Sequence, residues 1–279
     1  MKKLFAKLLS AALALTLCFS FASCKEDKNT ITVGASSAPH AEILEQVKDD
    51  LKAKGYTLKI KIMDDYVTPN TAVDEGEIDA NYFQHVPYLD DFNANNGTNI
   101  VSAAKVHYEP FGVYGNGVTK DEFNTTKTGR TILIPNDGSN GTRALFVLQE
   151  QGYITLKEGV SASDTLSTLD IADAKGNTVT AAEASTLPAL LKNANNGTIA
   201  VINGNYAISS GLKIADALAT ESATGEAAQL YANIIAVKKG NENSEKIKAL
   251  VEAVLSQKVY DYINNTYAGA VKPVFTVGA

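Results

Sequence analysis

A strand, a helix and a second strand follow one another within about thirty residues near the start of the chain, the spacing of a βαβ unit. Ile31–Gly34 is a short β-rich run. His40–Lys54 then carries Ile43, Leu44, Val47 and Leu51 at helical spacing, and Gly55 ends it. Tyr56–Met63 alternates, with Leu58, Ile60 and Ile62 on one face and Lys59 and Lys61 on the other. Parallel strands joined by a helical crossover need cover on both faces of their sheet, so the pattern points to an α/β fold. Further strand candidates are Ile78–Phe83, Ile100–Tyr114, Thr131–Ile134, Ile199–Ile202 and Ile234–Val237. Arg143–Gln151 reads as a helix, and so does Glu245–Tyr262, which sets Ile247, Leu250, Val251, Val254, Leu255 and Val259 on one side.

The residues ahead of this unit are an address rather than part of the fold. Met1–Ser10 carry Lys2, Lys3 and Lys7 with no acid, Leu8–Leu17 is apolar, and small residues lead up to Cys24. The apolar run is too short for a comfortable membrane span. The small residues before Cys24 resemble a bacterial lipobox, with Phe21 where leucine is usual. The expectation is a signal peptide at 1–23, lipidation of Cys24 with palmitate among its lipids, and a polar tether over 24–30. The chain has 2 cysteines, and cleavage leaves only Cys24. An internal disulfide, a thiolate metal site and a cysteine nucleophile are thereby excluded.

The 279 residues are 45% apolar and 20% charged, the profile of a folded soluble protein. Their net charge of −6 argues against nucleic-acid binding, which demands basic surface. The string Asn-Ala-Asn-Asn-Gly-Thr occurs at Asn93–Thr98 and again at Asn193–Thr198. It reads either as two duplicated lobes or as two tight turns, because Asn-Gly tolerates positive φ.

Two places can carry binding chemistry. Ile134–Thr142 is a strand end feeding a glycine-bearing loop, followed by Arg143. In a first helical turn an arginine opposes the helix dipole unless an anion sits there. It either holds a ligand carboxylate or is a surface residue pairing with Asp137 or Glu150. The second place is Asp79–Tyr88, aromatic and containing His85. In a strand, Tyr82 and Phe83 point to opposite faces, and Pro87 suits a helix first turn, which sets His85 at a strand–helix junction. Asn203, Asn205 and Asn233 follow or sit in buried-looking strands, where an amide needs a partner. His40, His85 and His107 are far apart in sequence, and neither a His-Glu-x-x-His nor a Gly-x-Ser-x-Gly motif is present. No catalytic constellation stands out, and no enzyme activity, cofactor or metal is expected.

In order and spacing these stretches resemble one family, the methionine-binding lipoproteins of the NlpA family, solute receptors of ABC importers. The resemblance runs from Ile31 to Phe275 and rests on DANYFQHVPY (79–88), YEPFGVY (108–114), IPNDGSNGTRAL (134–145), QEQGYITLKE (149–158), Glu183–Leu190 and AVKPVF (270–275). It implies a two-lobed periplasmic-binding-protein fold, type II-like, with strand crossovers near Tyr108–Tyr114 and Tyr231–Ala236. Lobe 1 would take 31–112 plus 234–279, and lobe 2 would take 113–233. It further implies that L-methionine or a related amino acid binds between the lobes. Arg143 would then hold the carboxylate, with Tyr66, Tyr82, Phe83 and His85 around the side chain and Asn140, Asn205 and Asn233 at the polar end. The implied partners are an ABC transporter permease and, through the lipid, the cell membrane on its extracytoplasmic face; the protein would act as a monomer. Gly138, Thr142 and Thr186 depart from the family pattern, where proline, glycine and glutamine are frequent. Rival readings are a receptor for another small amino acid or peptide, a metal receptor using His85 and nearby acids, an extracytoplasmic enzyme, and an adhesin.

Overall fold

β1 (Thr30–Ala35) pairs in parallel with both β2 (Thr57–Ile62) and β3 (Ala80–His85), so the first βαβ unit forms as the spacing indicates. The protein is described by a computed structural model covering residues 29–222 and 225–278; the expected signal peptide and Cys24 lie outside the described residues. The expected His40–Lys54 helix is broken in two. Helices Glu42–Glu45 and Lys48–Ala53 flank Val47, whose φ of −104° and ψ of 2° leave the helical region.

Two mixed sheets follow from the strand pairing. The first runs β13-β4-β12-β3-β1-β2, where β4 is Ile100–Tyr108, β12 is Ala232–Lys238 and β13 is Lys272–Pro273. The second runs β11-β5-β10-β6-β9, built from β5 (Gly112–Gly115), β6 (Thr131–Pro135), β9 (Thr178–Ala182), β10 (Ile199–Ile202) and β11 (Ala219–Thr220). β7 (Thr155–Leu156) and β8 (Ile171–Asp173) form a small hairpin-like pair beside it. Each large sheet is the floor of one lobe. The apolar run Ile100–Tyr114, read above as one strand, is divided between them, with Glu109, Pro110 and Phe111 passing across; Pro110 has no N–H to continue a ladder. The chain returns to the first sheet between β11 and β12. Tyr108 pairs with Ala232, so the outgoing and returning segments leave the first sheet from neighbouring positions. Sheet membership groups Gly112 with the second lobe, and Ala232 and Asn233 with the first.

The sequence pattern explains the packing. β3 is buried throughout, as a central strand covered on both faces must be. Its alternation sends Tyr82 into the core that Ile31, Val33, Leu250 and Ile263 also enter, and Phe83 into the core with Tyr66, Tyr88 and Tyr206. The expected Glu245–Tyr262 helix is two helices, Glu245–Val254 and Gln257–Thr266. Ser256 between them is extended (φ −87°, ψ 160°), and its Oγ accepts from the Val259 N–H at 3.4 Å, which starts the second helix afresh. The two Asn-Gly strings each turn a helix into a strand, with Gly97 at φ 69° and Gly197 at φ 93°, as the turn reading requires. Among the described residues no helix is long and apolar enough to cross a membrane.

Candidate functional site

Four strand ends converge on the gap between the sheets. β3 ends at His85, β6 leads into Asp137–Arg143, β10 leads into Asn203–Asn205, and β1 leads into the turn Ser37–Ala41 that carries His40. Ligands in open α/β sheets bind beyond the carboxyl ends of strands, and the first three of these ends line a small cavity between the sheets.

Arg143 lies at the cavity and is only 4% exposed, so the surface-arginine reading does not hold. Its helix begins at Gly138, not at Arg143: Asp137 caps it by accepting from the Asn140 N–H at 2.8 Å. Arg143 therefore sits in the second turn, and the anion at the helix entrance is Asp137. The partner of the guanidinium is Glu221, from the returning crossover. Nε donates to Oε1 at 2.8 Å and Nη2 to Oε2 at 2.5 Å, while Nη2 also donates to the Glu109 carbonyl at 2.8 Å. Burial opposes the charge on Arg143, but Glu221 outweighs it and raises the guanidinium pKa further. The same pairing overcomes burial at Glu221 and lowers its carboxyl pKa. The rings of Phe111 and Tyr231 lie 4.0 Å and 4.4 Å from the guanidinium carbon, adding cation–π contact.

A chain of amides runs beside it. Asn140 donates to Asp137 at 2.9 Å, and its Oδ1 accepts from Asn203 Nδ2 at 2.9 Å and from His85 Nε2 at 3.2 Å. Nδ1 of His85 accepts from the Tyr88 N–H at 3.2 Å, which leaves the ring neutral. Burial, then the charge of Arg143, push its pKa down to about 3. Asn205 Oδ1 accepts from the Tyr66 hydroxyl at 2.7 Å. Two buried polar atoms here have no partner among the described residues: the acceptor Asn203 Oδ1 and the donor Asn205 Nδ2. Such orphans are costly unless something fills them.

The opposite wall is aromatic. Tyr66 stacks on Tyr206 with centroids 4.9 Å apart and meets Phe83 and Tyr88 at 5.5 Å. Tyr66, Phe83 and His85 thus reach the cavity, as do Asn140, Arg143, Asn205 and Asn233. Tyr82 does not. The expectation that it lines the pocket is corrected by the strand alternation that sends it behind β3, where its hydroxyl bonds His107 Nδ1. Asn203, noted in the sequence as a buried-looking amide, reaches the cavity as well, and so do Tyr88, Glu109 and Phe111, which had not been singled out as ligand contacts. Tyr88 had a signal, lying three residues after His85 on a helix that Pro87 opens.

Behind the pocket His40 and His107, distant in sequence, meet with ring centroids 4.9 Å apart. Glu109 Oε1 lies 2.6 Å from His107 Nε2 and 3.5 Å from His40 Nε2, while Asn233 Oδ1 is 3.0 Å from His40 Nε2. The donor atoms of His40, His107 and Glu109 fall within 4.8 Å of one another, compact enough for a metal ion, although hydrogen bonds already engage them. His85, on which the metal reading rested, lies outside this group.

Two α/β lobes joined by two crossovers, with a buried cation, amides and an aromatic wall between them, define a solute-binding protein. Its family is shown by comparison: residues 31–275 match the NlpA lipoprotein family, and the chain belongs to it. The chain is 41% identical to the methionine-binding lipoprotein MetQ of Bacillus subtilis, across 98% of this chain and 99% of that one. A lipoprotein structure from Ruminococcus gnavus superposes with a TM-score of 0.82 at 47% identity, covering 89% of this chain and 100% of that one. A nutrient binding protein from Burkholderia cenocepacia, solved bound to methionine, superposes with a TM-score of 0.80 at 36% identity over 88% of this chain and 100% of that one.

Proposed function

We propose that this protein is the extracytoplasmic receptor of an ABC importer and captures methionine between its lobes. The observation that carries the reading is the pair of orphaned amide atoms, Asn203 Oδ1 and Asn205 Nδ2, at the same cavity as Arg143. An amino acid is a zwitterion: its carboxylate needs donors and its ammonium needs acceptors, and the cavity offers both. Arg143 and Asn205 Nδ2 serve the carboxylate, and Asn203 Oδ1 accepts from the ammonium. Tyr66, Phe83 and Tyr88 receive the side chain. Burying a methionine-sized side chain contributes about 1.5–3 kcal/mol, and sulfur against aromatic rings adds about 0.3–1.5 kcal/mol. A relative named for methionine and a neighbour solved with methionine bound support the same ligand.

In this reading no covalent bond is made or broken, and no cofactor is required. Closure of the lobes excludes water and strengthens each polar contact. The loaded, closed form docks on a permease by its differential affinity, a population shift. Cys24 bears the lipid that holds the protein, a monomer, at the outer face of the cell membrane. A thermal-shift and calorimetric screen of the mature protein against the common amino acids tests the ligand, with methionine expected to raise the Tm most; no shift with any amino acid would sink the reading. The compact donor set of His40, His107 and Glu109 favours a second reading, a metal receptor. Titration with zinc in the same screen separates the two.

A further inference from the structure

The short helix Gly204–Ser209 follows β10 in the second lobe, yet three of its residues bond to loops of the first. The Tyr206 hydroxyl donates to the Asp64 carbonyl at 2.9 Å, Ser209 Oγ lies 3.2 Å from Ser37 Oγ, and Asn205 Oδ1 accepts from the Tyr66 hydroxyl at 2.7 Å. Tyr206 and Ser209 are three residues apart, which puts them on one face of the helix. Their targets lie in the loops that follow β2 and β1. Those two loops are themselves joined, because Asp64 Oδ1 accepts from the Ser37 N–H at 2.9 Å. One helical turn of the second lobe thus grips a single unit of the first.

This grip stands apart from the ligand cavity. Tyr66 lines the cavity, whereas Tyr206, stacked on it with ring centroids 4.9 Å apart, borders a separate groove together with Ser37, Asp64 and Ser209. The two sites nevertheless share one element. The orphaned Asn203 Oδ1 and Asn205 Nδ2 flank the start of the same turn, so whatever fills them also fixes the turn that carries Tyr206. Tyr206 is 6% exposed, and its partner is a backbone carbonyl, present whatever side chain stands at position 64. The Ser37–Ser209 contact is exposed and therefore weaker.

We propose that Tyr206 is a positioning residue and latch for the loaded receptor: its ring holds Tyr66 against the ligand, and its hydroxyl fastens the lobes and so sets how long methionine is retained. The inference rests on the amino-acid reading above, and it assigns retention to a residue outside the cavity.

The test measures methionine exchange on the mature protein, with radiolabelled L-methionine chased by an excess of unlabelled ligand. Tyr206→Phe removes the hydroxyl and keeps the stacked ring, and the Asp64 carbonyl that loses its donor borders a groove open to water, so the fold should survive. A bond that spans the lobes holds the closed complex and not the encounter with the open form. Y206F is therefore expected to release methionine about 2- to 10-fold faster, the worth of one hydrogen bond, with association within about twofold of wild type. Ser209→Ala should show the same direction with a smaller effect. Ser210→Ala is the control: Ser210 borders the same groove, but its Oγ donates at 2.9 Å to Ala207 of its own helix. Its release rate should match wild type.

Unchanged release from Y206F, an equal acceleration in S210A, or a loss that falls wholly on association would overturn the inference. A purely structural role for Tyr206 would lower the urea midpoint of Y206F and leave release unaltered, and so counts against it too. Wild type that retains methionine no longer than Y206F does defeats this inference alone, whereas wild type that binds no amino acid defeats the reading beneath it.

Discussion

Glu221 holds Arg143 through both carboxylate oxygens, Nε to Oε1 at 2.8 Å and Nη2 to Oε2 at 2.5 Å. The acid comes from the returning crossover and the base from a helix of the second lobe. The same carboxylate accepts from the Tyr108 hydroxyl at 2.6 Å and the Phe111 N–H at 3.2 Å, both on or beside the outgoing crossover. One acid therefore ties both connections between the lobes to the cation at the pocket, and fixes the guanidinium before any ligand arrives. None of the hydrogen bonds that Arg143 makes to described residues leaves from Nη1.

Arg143→Ala is expected to lose measurable methionine binding and also to lower folding stability, by about 3–5 kcal/mol, because Glu221 is left buried without its partner. Calorimetry and urea denaturation read the two effects separately. Arg143→Lys keeps a charge but not the planar fork, so it should fold better than the alanine variant yet bind at least about tenfold more weakly than wild type. Wild-type affinity in the alanine variant would remove Arg143 from the site.

Glu221→Gln keeps the shape of the clamp and removes its charge. We expect a moderate loss of stability and looser lobes, seen as a larger radius of gyration in solution scattering of the unliganded protein. Unchanged scattering and stability would mean that the crossovers are held by other contacts.

Acid should destabilise the unliganded protein. His85 and His107 are held down at about 3 by burial, and His40 is also lowered, against an ordinary value near 6.5. Their folded pKa lies below the unfolded one, so this stability is complete above pH 6.5 and is lost as pH falls toward 4 and 3. Glu109 runs the other way, since burial raises its pKa from 4.5 to about 7 and it gains stability as pH falls through that window. Three histidines outweigh one acid, so the urea midpoint should be lower at pH 5 than at pH 7; a flat or rising profile would contradict neutral buried rings.

Phe83→Leu tests the aromatic wall. Removing the ring should reduce the preference for methionine over leucine by about two- to tenfold, the range of a sulfur–aromatic contact. Competition calorimetry gives the ratio directly, and an unaltered ratio would mean that pocket shape alone selects the ligand.

Cys24→Ser should move the protein from the membrane fraction to the soluble fraction. Retention in the membrane pellet would argue against a lipid on that residue.

Much of the architecture was legible because its signals are local. The βαβ run, the opposed faces of Tyr82 and Phe83, and the junction at His85 depend on spacing within one segment. The breaks at Val47 and Ser256 were hidden, since the apolar periodicity continues across both. The Arg143 helix starts earlier than the pattern suggested, because Asp137 caps a segment rich in glycine and polar residues that reads as a loop. The partner of Arg143 was out of reach in the sequence, where Asp137 and Glu150 are the nearby acids and Glu221 belongs to another segment. His40, His107 and Glu109 were equally hidden: they meet only when β1 and β4 are laid into one sheet.

Tyr108 and Ala232 sit opposite each other where the chain leaves the first sheet and where it comes back. Two ropes fastened side by side allow bending about the line through their knots and resist twisting. Opening should then approximate a swing about one short axis, and a single pair of fluorophores, one on each half, should be enough to follow it.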